Sequence, residues 1–122
     1  MAVGNSPVDP STTSRILDRA AAIDRLGFEE ELLEEFAQSL LQRSRGMLAD
    51  IVVALERGDF AKVKALSHSV KGAAATLEAN ALAAAARRLE DLARDGELVQ
   101  CRGAFWDLAA AVDELAVILT TE

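Results

Sequence analysis

The six residues Leu55-Glu56-Arg57-Gly58-Asp59-Phe60 decide the architecture of this chain. Glycine ends a helix well because it takes the left-handed conformation without steric cost. An aspartate placed just after it can accept a hydrogen bond from the first turn of a new helix. A stop followed at once by a start leaves no room for a long connection, so two helices meet here and run antiparallel. Working backward, Leu33, Phe36, Leu40, Met47, Ile51 and Leu55 step by threes and fours with one gap of seven, a heptad-like seam. The helix that carries them is predicted over residues 28–57. Glu29, Glu30 and Glu31 open it, where the helix dipole favours acids, and Gly46 is a candidate bend.

Working forward, Phe60, Val63, Leu66, Val70, Ala74 and Leu77 mark the inward face of a helix over 60–77. A further helix over 79–94 puts Leu82, Ala85, Ala86, Leu89 and Leu92 on one side before Gly96 ends it. The last, over 103–120, repeats Phe105, Leu108, Val112, Leu115 and Leu119 at helical spacing. Ahead of all these, Asp9-Pro10-Ser11 offers a helix start, and Ile16, Ala20 and Ile23 make one stripe up to Gly27. The reading is all-α: an antiparallel up-down-up-down four-helix bundle with a short extra N-terminal helix. Residues 1–10 are expected to be a flexible leader, and 11–122 one helical domain. Composition agrees, because 51% hydrophobic residues with only 4% aromatic favour helices over a sheet built from β-branched and aromatic side chains.

Charge narrows the function. With 20 acids against 13 lysines and arginines the chain carries −7, whereas nucleic acids and anionic membranes demand clustered positive charge. Neither is an expected partner; another protein is. Cys101 is the sole cysteine, so no intrachain disulfide forms, and its expected role is a small packed thiol. The first fourteen residues lack the charged and apolar blocks of a secretory signal, and charged residues interrupt every stretch long enough to span a bilayer. A cytoplasmic protein follows. Nothing in the pattern requires a second copy, so a monomer is expected.

The chain has one histidine, His68, in the stretch Ala65-Leu66-Ser67-His68-Ser69-Val70-Lys71-Gly72. At about 100° per residue, with Val63 at zero, the apolar positions of its helix lie within roughly 60° while His68 falls at roughly 140°. The imidazole is predicted to face outward. Its neighbours on that side are Ala61, Lys64, Ala65, Gly72 and Ala75, a bare surface for an exposed helix, and a mid-helix glycine costs about 1 kcal/mol relative to alanine. That bareness suits the close approach of another protein. Residues 57–72 hold Arg57, Lys62, Lys64 and Lys71 against Asp59, a local +3 in a chain of −7. Lys64 and Lys71 stand at the spacings that bring helical side chains next to His68. A neutral imidazole, with its ordinary pKa of about 6.5, has one nitrogen free to attack a phosphoryl group. Glu90 and Arg94 lie on the edge of the next helix. If that edge faces His68, Glu90 accepts from Nδ1 and leaves Nε2 outward; the alternative is a surface pair of Glu90 with Arg94.

The run Leu66 to Gly72, followed by Ala79, Leu82 and Leu89-Glu90, resembles the histidine-containing phosphotransfer domain of multistep two-component signalling. The segment 28–36 and the junction 55–59 are similar too, so the likeness spans roughly residues 20–122. The resemblance implies a bundle whose exposed histidine takes a phosphoryl group from a receiver-domain aspartate and passes it to another. It makes His68 the phosphorylated residue, Lys71 the cation near the phosphoryl oxygens, and Glu90 the hydrogen-bond partner of the ring. Gly72, with Lys64, Ala65, Ala75 and Arg94 around it, becomes the docking face. Its implied partners are response-regulator receivers and a hybrid sensor histidine kinase. No cofactor is implied for this chain itself, with Mg2+ belonging to the receiver. Ala73 and Ala74 stand where the family often has serines, and Glu78 where it often has glycine, which suggests a different helix junction. The chain has no Gly-rich nucleotide loop, so a phosphocarrier without ATP-dependent autokinase activity is expected. Two rivals are a noncatalytic helical adaptor that binds receiver or kinase domains, and the phosphoacceptor domain of a chemotaxis-type kinase. The short chain suits a stand-alone carrier or an excised fragment equally.

Overall fold

The computed structural model describes residues 10–27 and 29–121, with side chains over 12–27 and 29–120. Six helices follow in order: α1 (Pro10–Ile16), α2 (Arg19–Leu26), α3 (Glu30–Glu56), α4 (Phe60–Thr76), α5 (Asn80–Arg94) and α6 (Leu98–Thr121). The leader expected over 1–10 falls, apart from Pro10, outside the described residues. Helices α3 to α6 form an antiparallel four-helix bundle. Each packs on its neighbour in the chain, and α6 closes the ring on α3. The core is aliphatic, with Leu33, Ile51, Val63, Leu82, Leu89, Leu108 and Leu115 fully buried. Each such side chain contributes about 1.5–3 kcal/mol by leaving water. Cys101 is buried among them, and its thiol pKa is raised, first by burial and then by the nearby Glu97 carboxylate.

All three bundle connections use one device. Asp59 N–H donates to Ala54 O at 2.8 Å and Gly58 N–H to Leu55 O at 3.1 Å. The same pair recurs from Ala79 to Ala74 and Glu78 to Ala75, and from Glu97 to Leu92 and Gly96 to Ala93. These are Schellman ends, which need a left-handed residue at the turn. Gly58 and Gly96 supply it at φ 66° and 68°, and Glu78 adopts it at φ 60°. The α4–α5 junction therefore matches the other two, contrary to the different geometry that a glutamate there suggested. Asp59 also starts α4, its carboxylate accepting from Lys62 N–H at 3.1 Å.

Three expectations need correction. The N-terminal helix is broken in two at Leu17-Asp18, because Asp18 caps a fresh start by accepting from Ala21 N–H at 3.1 Å. Its own N–H donates to Glu78 O at 3.0 Å, which ties the break to the α4–α5 turn. Helix α1 packs on α5 and α6, and α2 on α3. The last helix begins at Leu98, five residues before Gly103, since its first turns bring Cys101 and Ala104 into the core. Phe36, read as a core residue, is 43% exposed. It stands about 60° off the Leu33 line at the edge of the seam, where Ala37 and Leu40 already fill the interior. Among the described residues no helix is long and apolar enough to cross a membrane.

Candidate functional site

Val63, Ser67, Val70 and Ala74 anchor α4 in the core, with Ser67 Oγ donating to Val63 O at 2.7 Å, and this fixes the rotation of the helix. His68 is thereby turned outward, its side chain 66% exposed. On α5, Leu82, Ala86, Leu89 and Ala93 face inward and bring Glu90 to the seam with α4, where its side chain is 10% exposed. The two helices hold three charged or polar groups together. His68 Nδ1 lies 2.8 Å from Glu90 Oε2, and Lys71 Nζ lies 2.7 Å from Glu90 Oε1. The lysine contact is off the line of a directed hydrogen bond and acts as a charge pair. Glu90 thus offers one oxygen to the ring and the other to the ammonium.

This arrangement sets the tautomer. The Glu90 carboxyl is held below its ordinary value, with Lys71 the largest cause, burial opposing, and His68 adding to the lowering. It is ionised at neutral pH, and an ionised carboxylate only accepts. Nδ1 therefore donates, and in the neutral ring the lone pair lies on the other nitrogen, Nε2. A nucleophilic nitrogen with a carboxylate behind it gains a second benefit: positive charge that develops on the ring during attack meets an anion 2.8 Å away. Arg94 does not pair with Glu90; its guanidinium donates to Asp91 at 3.1 Å.

Around the ring the surface is bare. Ala65, Gly72 and Ala75 are exposed, and so are Lys64 and Arg94. A Cβ placed on Gly72 would meet nothing within 4 Å, so the fold itself gives no reason for glycine at this position. Gly72 lies between two grooves. One, between α3 and α4, is lined by Phe36, Ser39, Arg43, Ser69 and Thr76. The other, between α4 and α5, is lined by Lys71, Ala75, Ala84, Arg87, Glu90 and Arg94. Sequence reasoning missed Phe36 and Arg87 as members of this surface. Arg87 was within reach, since it precedes Glu90 by three and Arg94 by seven residues, the spacing of one helix face. Among the described residues no group of three or more His, Cys, Asp or Glu side chains could hold a metal ion.

Among curated proteins no relative matches the chain. A solved structure that it resembles is that of histidine-containing phosphotransfer protein B from Pseudomonas aeruginosa, with a TM-score of 0.78 and 22% identity. The alignment covers 87% of this chain and 92% of that one, and at this identity the likeness speaks for the fold. The family model described as Hpt domain matches residues 31–117, which takes in the bundle from the first turn of α3 to one turn short of the end of α6. The chain therefore belongs to the Hpt domain family, whose members serve histidine phosphotransfer in phosphorelays.

Proposed function

We propose that His68 accepts a phosphoryl group from the aspartyl phosphate of a receiver domain and relays it to a response regulator. The observation that carries this is the hydrogen bond of Nδ1 to a buried carboxylate at 2.8 Å, on a ring that is otherwise open to visitors. In the forward step the Nε2 lone pair attacks phosphorus, the acyl phosphate P–O bond breaks, and its electrons stay on the receiver's carboxylate. The Nδ1 proton remains on the ring, so the product is a phosphorylated imidazolium facing Glu90. The second transfer reverses each change on a new aspartate. Such a transfer gains from positioning and from cations around the moving group. Lys71, paired with the same Glu90 that holds the ring, is the cation of this chain that serves it, and the magnesium belongs to the receiver. Gly72, Lys64, Ala65, Ala75 and Arg94 form the face on which receivers dock, and a hybrid sensor kinase is the upstream source.

The test is to mix the purified chain with phosphorylated receivers and follow the phosphate. Wild type should gain an acid-labile, base-stable phosphate that His68→Gln lacks while keeping its helical spectrum. A folded protein that binds receivers but takes phosphate from none of them would leave the adaptor reading in possession.

A further inference from the structure

The bundle has a second exposed surface that phosphotransfer does not use. Across the ring from the α4–α5 seam, the outer side of α3 and α6 carries the only tryptophan of the chain, Trp106, which is 70% exposed. Phe105, itself 8% exposed, meets its ring edge-on at 5.3 Å between centroids. Val99 lies two helical turns before Trp106 on the same stripe and is 77% exposed, and Val52 of α3 is 38% exposed. Trp106 and Phe105 line a shallow groove with Val52, Leu55, Glu56 and Arg102.

We propose that two copies of this chain pair across this α3–α6 face, so that the protein is a homodimer, in place of the monomer expected from the sequence. The charges name the occupant. Glu56 stands on the α3 wall of the groove and Arg102 on the α6 wall, and among the described residues neither has an ion pair within the chain. One acid and one base leave the lining of the groove itself neutral, which gives no bias there towards an acidic or a basic partner. A two-fold axis through the groove meets both charges at once, because it sets each Arg102 against the other copy's Glu56. Each Trp106 then enters the other copy's groove, and large aromatic side chains are the usual anchors of such contacts. His68 lies on the opposite side of the ring, so both copies keep their α4–α5 faces open.

Sedimentation of the full chain over a concentration series tests this, with tryptophan emission as a second reading. Wild type should move from about 13 to about 26 kDa as concentration rises, twice the 13.0 kDa of one chain, with the emission shifting to the blue. Trp106→Ala should weaken pairing about 30-fold or more, as loss of an interface anchor does. Glu56→Arg and Arg102→Glu should each weaken it, and the double exchange should restore it. Receiver-dependent phosphorylation of His68 should persist in all four variants, so failure of the dimer and failure of the phosphotransfer reading are told apart. A chain that stays at the mass of one copy up to about millimolar concentration overturns the proposal, as does a double exchange that dimerises no better than the single variants.

Discussion

At the scale of single residues, Glu90 and Gly72 give opposite kinds of prediction. Glu90 is a buried carboxylate with one oxygen hydrogen-bonded to His68 and the other in an ion pair with Lys71, so replacing it disturbs both the ring and the ammonium. Its native pKa lies below the ordinary 4.5. Ionised Glu90 therefore adds stability at every pH above that ordinary value, and the gain is lost as pH falls through the lowered one. The stability difference between wild type and Glu90→Gln, from urea unfolding, should be flat above about pH 5 and close below about pH 4.5. The same variant and Glu90→Ala should phosphorylate more slowly, and unchanged rates in both would remove Glu90 as the group that positions the ring. Gly72 has open space where a Cβ would go. Gly72→Ala should raise unfolding stability by up to about 1 kcal/mol through helix propensity alone and still slow transfer from a receiver. The outward aim of His68 was legible from angular position alone. The Lys71–Glu90 pair was not, because it joins two helices whose relative height no spacing within either one reveals.

At the scale of elements, the Schellman ends explain what could be read and what could not. Gly58-Asp59 declared itself because both the stop and the cap are local. Glu78 concealed an identical turn, since a glutamate at φ 60° is held there by contacts distant in sequence: its carbonyl takes Asp18 N–H, and its carboxylate pairs with Arg25. Those same contacts split the N-terminal helix, and the stripe of Ile16, Ala20 and Ile23 carried no trace of them. A left-handed backbone costs a non-glycine residue about 1–2 kcal/mol, and a partly exposed ion pair returns less than that. Glu78→Gly should therefore raise the melting temperature by a few degrees, as thermal unfolding followed by circular dichroism would record. An unchanged or lower value would mean that the Arg25 pair offsets the strain. The early start of α6 was hidden for a different reason. Gly103 reads as a helix boundary, yet the burial of Cys101 and Ala104 outweighs its cost inside the helix.

At the scale of the whole molecule, a chain of −7 presents one face with Lys64, Lys71, Arg87 and Arg94 around its histidine. Opposite charges on a receiver would be drawn to that face and screened by salt over about 10 Å at 0.1 M. The rate of phosphoryl transfer from a receiver should fall as ionic strength rises, and Lys64→Glu or Arg87→Glu should slow the reaction and flatten that dependence. Stopped-flow kinetics at two salt concentrations would show both effects.

Gly72 borders the grooves on either side of α4, so the two adjoin at one point of the surface. On the proposed reading, a domain seated over His68 excludes every other, and delivery cannot begin until the donor has departed. Surplus acceptor without phosphate would then act as a competitor and throttle the loading of the carrier, which makes the abundance of each regulator a control on flux through its rivals.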